Sequence, residues 1–233
     1  MRKHIPNTIT CCNLVCGCIA VGLAFHYECW WSFMFIILGA VFDFFDGFTA
    51  RLLKVSSPIG KELDSLADCI TFGFAPAAII YVMLQRAIGA HYPLLPYLAF
   101  LLAAFSALRL AKFNLDERQA LGFIGLPTPA CALFWASTCE LCSQSEAVLQ
   151  FATSHPWAWT SLLLLLLLAS CWLLVSEVPM FALKFKTFGW QENALKYIFI
   201  LLSALLLLLM GWGGFAPVIV LYVILSVLTY GKR

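Results

Sequence analysis

Four aspartates carry the chemistry this chain can do. They lie in Asp43-Phe-Phe-Asp46-Gly47-Phe-Thr-Ala50-Arg51 and, eight residues later, in Gly60-Lys-Glu-Leu-Asp64-Ser-Leu-Ala-Asp68. Their surroundings are strongly apolar. A carboxylate at membrane depth is costly and is retained for function. Four of them close together repel one another and call for positive charge between them. Hard carboxylate oxygens suit Mg²⁺, Mn²⁺ or Ca²⁺ better than a soft metal. Two such ions sharing carboxylates can clamp the attacking and leaving oxygens of a displacement at phosphorus.

The elements that must position these acids follow from the spacing. Asp43, Asp46, Gly47 and Ala50 fall at i, i+3, i+4 and i+7, one stripe of a helix. Gly60, Asp64 and Asp68 fall at i, i+4 and i+8, one stripe of the next. Ser56-Ser57-Pro58 between them reads as a turn and a helix start. The two stripes can face each other across a cleft. Gly47, Ala50 and Gly60 remove side-chain bulk where a ligand or a second helix must come close; small stripes also serve helix packing in membranes.

Composition sets the frame. Of 233 residues 63% are hydrophobic and 11% charged, with a net charge of +2 and a mean hydropathy of +0.93. Soluble domains carry about 25% charged residues, so the chain reads as an all-α, polytopic membrane protein forming one domain over 1–233. Apolar segments at 8–26, 30–50, 63–85, 94–112, 127–143, 157–176, 194–210 and 214–230 approach the roughly 20 residues of a spanning helix. The first, which contains Asn13 and lacks a convincing cleavage site, is read as a span rather than a signal peptide.

Basic residues orient these eight spans. With the N-terminus inside, all Lys and Arg except Arg86 fall in the inner segments 1–7, 51–62, 109–126, 177–196 and 231–233. That asymmetry predicts N-in and C-in termini, with the aspartate cleft facing the cytoplasm across an inner (cell) membrane. The leucine run 162–168 reads as lipid-facing filler, Trp157 and Trp159 as an interfacial belt, and Gly211–Gly214 with Pro217 as a turn. Glu28, Glu140 and Glu146 read as outer-loop residues. Most of the ten cysteines lie in apolar helices, where cysteine acts as a small hydrophobe; Cys139 and Cys142 share one helix face, and no disulfide or metal is expected of them. Thr10 and Asn13 share a helix face and either satisfy neighbouring polar groups or contact a polar ligand.

The pattern Asp43-x2-Asp46-Gly47-x2-Ala50-Arg51-x8-Gly60-x3-Asp64-x3-Asp68 resembles the signature of the CDP-alcohol phosphotransferases, matching every specified position. The resemblance implies transfer of a substituted phosphate from a CDP-linked donor to an alcohol, with release of CMP. It implies two Mg²⁺ or Mn²⁺ ions held by Asp43, Asp46, Asp64 and Asp68, with Asp68 also the general base. It further implies CDP binding by Gly47, Ala50, Arg51 and Gly60, with Thr10 and Asn13 nearby, and a homodimer.

Further segments resemble the branch that uses CDP-diacylglycerol and L-serine. These are Ile5-Pro-Asn-Thr8 with Thr10 and Asn13, Asp68 to Pro76, Arg109-Leu-Ala-Lys-Phe-Asn114, Gly122 to Ala130, and Leu174 to Pro179. For that acceptor, Arg109 is the candidate for the serine carboxylate, with Asn114 and Gly125 shaping the pocket; Lys112 and Arg118 read as topological. The alternatives are another enzyme of the class, such as a phosphatidylglycerophosphate synthase, and a divalent-cation transporter.

Overall fold

The computed structural model describes residues 4–55, 57–116, 123–181 and 189–230. Arg118, Gly122, Ser56 and most of the basic residues expected in the 177–196 segment lie outside them. Helices dominate: α1 (His4–Phe25), α2 (Cys29–Leu53), α3 (Pro58–Asp68), α4 (Ala75–Ile88), α5 (Leu101–Leu115), α6 (Thr128–Gln144), α7 (Glu146–Ser154), α8 (Pro156–Val175), α9 (Trp190–Met210) and α10 (Phe215–Tyr230). Among the described residues, six helical stretches are long and apolar enough to cross a membrane. The longest, Asn193–Thr229, contains both α9 and α10, which meet at a turn with Gly211 at φ 58°. The 17-residue α6 fills the expected 127–143 segment.

α3, a π-helical segment Cys69–Phe74 and α4 form one continuous helix, Pro58–Ile88. It is the most enclosed of the spans, and its small residues explain why. Ala67, Ala75, Ala77 and Ala78 are fully buried, so neighbouring backbones approach closely, as small residues permit in membrane bundles. α1 and α2 form a hairpin against it. Thr71 of the π-segment is wedged between them: a Cβ on Gly17 would lie 2.4 Å from Thr71 Oγ1, and one on Gly39 2.5 Å from its Cγ2. Neither glycine can be replaced without displacing this segment.

Two expectations change. In the leucine run, Leu163 and Leu167 are fully buried while Leu162, Leu165 and Leu168 are exposed. An α-helix with a neighbour on one side buries residues four apart, so the run supplies core and lipid-facing surface alike. α7 occupies a stretch read as outer loop; Ser145 caps it by accepting the Val148 N–H. The one β-ladder among the described residues is two residues long, pairing Phe123 with Met180 and Ile124 with Pro179.

The cysteines also depart from expectation. Cys29 and Cys139 form a disulfide with their Cα atoms 5.9 Å apart. It joins the start of α2 to the C-terminal half of α6, at the opposite end of α2 from the aspartates. Cysteine type and local spacing did not reveal it because the partners are 110 positions apart. The other eight cysteines are free thiols. Maleimide labelling of the denatured, unreduced chain should therefore count eight thiols, rising to ten on reduction. Cys29→Ala should lower unfolding stability by about 2–4 kcal/mol, the usual contribution of such a cross-link; ten thiols without reductant would refute the pairing.

Candidate active site

Helix ends bring the acids together. α2 stops at Lys54, whose left-handed φ of 53° closes the helix with N–H bonds back to Ala50 and Arg51 carbonyls. Ser57 then caps α3, its Oγ accepting the Gly60 N–H at 3.0 Å, with Pro58 in the first turn. That pairing of a hydroxyl cap with proline at the first helical position is a strong start signal. The connection turns the chain back at once, so the stripes of α2 and α3 face each other as their spacing predicts.

Asp43, Asp64 and Asp68 each offer a carboxylate oxygen, and these oxygens lie within 4.8 Å of one another. Asp46 is not among these three, although it lines the adjoining cavity together with Asp64. It is buried, 6% exposed, and its Oδ2 accepts the Thr10 hydroxyl at 2.5 Å. Three converging hard oxygen donors, with a fourth carboxylate one turn away, fit a divalent cation of the Mg²⁺ or Mn²⁺ kind. Among the described residues this is the one acidic group that could hold a metal.

α1 orients the acids through Thr10 and Asn13. Asn13, fully buried, donates from Nδ2 to Asp68 Oδ1 at 3.1 Å. Its own backbone carbonyl accepts the Thr71 hydroxyl at 3.0 Å. The π-segment begins immediately after Asp68; such segments cluster at functional sites because the extra residue re-aims the helix. Asp68 is thus held from α1 and, through Thr71, by its own helix.

Beside the acids lies a cavity of about 270 Å³ lined by Asn7, Thr10, Asp46, Gly47, Ala50, Gly60, Lys61 and Asp64, among others. A Cβ on Gly47 would find only the Arg51 guanidinium, 4.0 Å away, whereas one on Gly60 would press on Ser57 Oγ and Asn7 Oδ1 at about 3.0 Å. Gly47 therefore leaves the cavity open, and Gly60 lets α1 and α3 close over it. Asn7 and Lys61 extend the lining beyond the residues the sequence singled out. Arg51 is exposed, its Nε bonded to the Gly47 carbonyl, one turn from the cavity.

A second cavity, of about 360 Å³, opens where the ends of α5 and α8 meet the strand Phe123–Ile124, and Arg109, Lys112, Asp116, Ser176 and Glu177 line it. Arg109 is 6% exposed, yet its Nε and Nη2 have no hydrogen-bond partner among the described residues. Two contacts between antiparallel helices bracket its depth. Asn114 Nδ2 donates to Ser65 Oγ at 2.8 Å, and Ser106 lies against Gly73, where a Cβ would be 2.9 Å away. Between them, Arg109 stands at the level of Asp68.

Asn114 and Gly125 serve this region differently. The Asn114 amide is engaged by Ser65, and its carbonyl accepts the Lys61 ammonium at 3.1 Å; neither residue lines the cavity. Gly125, at φ +74°, leaves no room for a side chain, since a Cβ would lie 2.8 Å from the Leu174 carbonyl and 2.9 Å from that of Ser176. It docks the turn onto the end of α8 so that Ile124 can form a cavity wall.

Glu140 corrects the reading of the outer acids. It lies inside α6, 4% exposed, and accepts a hydrogen bond from the Gln144 amide. It is remote in sequence from the acidic cluster and, among the described residues, does not form a second metal group with other acids.

The sequence model described as CDP-alcohol phosphatidyltransferase matches residues 3–230. Several relatives carry the name CDP-diacylglycerol–serine O-phosphatidyltransferase. That of Bacillus subtilis (strain 168) is 38% identical over 131 residues, 54% of this chain and 70% of the relative. That of Methanocaldococcus jannaschii is 36% identical over 137 residues, 59% of this chain and 61% of the relative. That of Mycobacterium bovis is 31% identical over 190 residues, covering 76% and 60%. The similarity thus spans about three fifths of the length of the last two.

Proposed function

Because the chain belongs to the CDP-alcohol phosphatidyltransferase family, we propose that it transfers the phosphatidyl group of CDP-diacylglycerol to the hydroxyl of L-serine, yielding phosphatidylserine and CMP. The observation that carries this reading is the convergence of Asp43, Asp64 and Asp68 beside a cavity that Gly47 leaves open. In this reading residues 1–233 act as one membrane-embedded domain of eight spans, with both termini and the acidic cleft on the cytoplasmic side of the cell membrane, as a homodimer.

Asp43, Asp46, Asp64 and Asp68 would hold two Mg²⁺ or Mn²⁺ ions, which when bound neutralise the diphosphate and the charge that builds up at phosphorus. The CDP head occupies the cavity lined by Thr10, Gly47, Ala50 and Gly60, and Arg51 meets phosphate charge at its edge. Asn13 keeps Asp68 aimed into the cleft. Asp68 takes the proton of the serine hydroxyl; the hydroxyl oxygen forms a bond to the phosphorus that bears the diacylglycerol oxygen, and the bond from that phosphorus to CMP breaks. Arg109 receives the serine carboxylate from the second cavity. Its buried Nε and Nη2, unpartnered among the described residues, support that role, since burying a charged group is costly unless an anion joins it.

The test is an acceptor screen. Purified protein with CDP-diacylglycerol and Mg²⁺ or Mn²⁺ should release CMP with L-serine and very little with glycerol 3-phosphate or inositol 1-phosphate, and chelation should stop it. Release with glycerol 3-phosphate in place of serine would move the enzyme to another branch of the family. Metal uptake into liposomes with no nucleotide chemistry under any acceptor would overturn the reading altogether.

A further inference from the structure

The face of the bundle opposite the aspartates holds a third cavity, of about 480 Å³, which the proposed reaction does not use. Its walls come from the α1–α2 turn, the ends of α4 and α6, α7 and the start of α8; Tyr27, Met83, Arg86, Leu149, Ala152 and Trp159 define it. We infer that this cavity binds an anionic membrane phospholipid, with Arg86 meeting the phosphate and an acyl chain lying along Met83, Leu149 and Trp159.

Charge is the first argument. Arg86 is the single Lys or Arg in the chain assigned to this side, against the bias that keeps basic residues on the other. The partner the structure gives it is the Tyr27 ring, whose centroid lies 3.1 Å from the guanidinium carbon. A ring face attracts the cation but takes none of its five in-plane N–H donors, and the exposed guanidinium leaves them open to an anion. Those donors border a cavity whose walls are otherwise mostly apolar, so the complementary ligand carries an anion at one end and hydrocarbon at the other.

Depth is the second. Arg86 stands two residues before the end of α4, at the end of the long apolar stretch Pro58–Ile88. α7 buries none of its residues, and Leu149 and Phe151 on it are 41% and 44% exposed. A short helix with apolar side chains uncovered at the end of a span lies in the boundary between headgroups and acyl chains. Trp157, exposed and packed edge-on against Tyr92 at 5.1 Å, marks the same level. The cavity therefore opens where phospholipid phosphates are concentrated.

Native mass spectrometry of the full chain in neutral detergent tests this, titrating phosphatidylglycerol against phosphatidylcholine of the same acyl chains. The phosphatidylglycerol adduct should be the tighter, and Arg86→Gln should weaken it about tenfold, the effect of losing one charge-assisted contact. Ala152→Trp, which keeps the charge and fills the cavity, should also remove it. Both variants should keep wild-type CMP release, and Asp43→Asn should keep the adduct, which separates this site from the acidic cleft whatever the acceptor there proves to be. Equal binding of both lipids, or an adduct untouched by both Arg86→Gln and Ala152→Trp, overturns the proposal. So does displacement by excess inorganic phosphate, which assigns the site to a free anion. A changed oligomeric mass with an unchanged lipid count would assign the face to a second copy of the chain and overturn it equally.

Discussion

Asp68→Asn is expected to reduce CMP release by about 10²–10⁴-fold, the range over which a positioned general base contributes, while the protein stays folded. The geometry makes the substitution a clean one. Asn13 Nδ2 donates to Asp68 Oδ1, and an asparagine at 68 can still present a carbonyl oxygen to that amide. What disappears is the negative charge and the ability to take a proton. Titration with Mn²⁺ separates those two losses. If Asp68 acts chiefly as a ligand, excess metal restores much of the rate; if it is the base, turnover stays low at saturating metal. A companion substitution, Asn13→Ala, leaves the carboxylate intact but releases it from α1. Its rate should fall less than that of Asp68→Asn, with little change in the KM for CDP-diacylglycerol. Wild-type turnover by Asp68→Asn would remove both roles from this residue.

Arg109→Leu should raise the KM for serine by about 10–100-fold, since hydrogen bonds to a charged group contribute about 1.5–3 kcal/mol and about 1.4 kcal/mol is a factor of ten. The KM for CDP-diacylglycerol should change little, because Arg109 lines the second cavity and not the one beside Gly47. Thermal stability distinguishes this role from a structural one. Arg109 is 6% exposed with Nε and Nη2 unpartnered among the described residues, so leucine replaces a costly buried charge with a side chain that suits the site. The melting temperature should hold or rise, as when buried ionic groups are exchanged for apolar ones. Arg109→Lys retains charge without the planar fork that grips a carboxylate and should fall between the two. A lowered melting temperature with an unchanged serine KM would make Arg109 a structural residue.

The α2–α3 face was legible early for a simple reason. Asp43, Asp46, Gly47 and Ala50 share one helix, and helical periodicity alone puts them on one stripe. The same holds for Gly60, Asp64 and Asp68, and Ser57-Pro58 carried its own start signal. Thr10 and Asn13 were placed on one face of α1, with a polar ligand or a polar neighbour as the open choices. The structure gives each a carboxylate, across 36 and 55 positions. Gly125 drew attention by the motif around it, but its work is to let a turn press on the carbonyls of Leu174 and Ser176. α7 escaped notice because the reading looked for spans of about 20 residues, and Glu140 was taken for an outer-loop residue although it falls inside the 127–143 segment.

Taken alone, the order of residues determined the donors and the solvent: hard oxygen donors at helical spacing, small residues interleaved with them, and an apolar chain. These are properties of neighbours along one helix, and the backbone repeat suffices to read them. The tertiary structure decided which three acids converge and which one turns to Thr10, how Asn13 and Thr71 hold Asp68, that Arg109 stands buried at the level of Asp68, and that Cys29 meets Cys139. Each of those is a contact between helices. Which faces meet depends on how closely Gly17, Gly39, Gly73 and the alanines of the central helix let backbones pack, and that choice is made by the whole bundle at once.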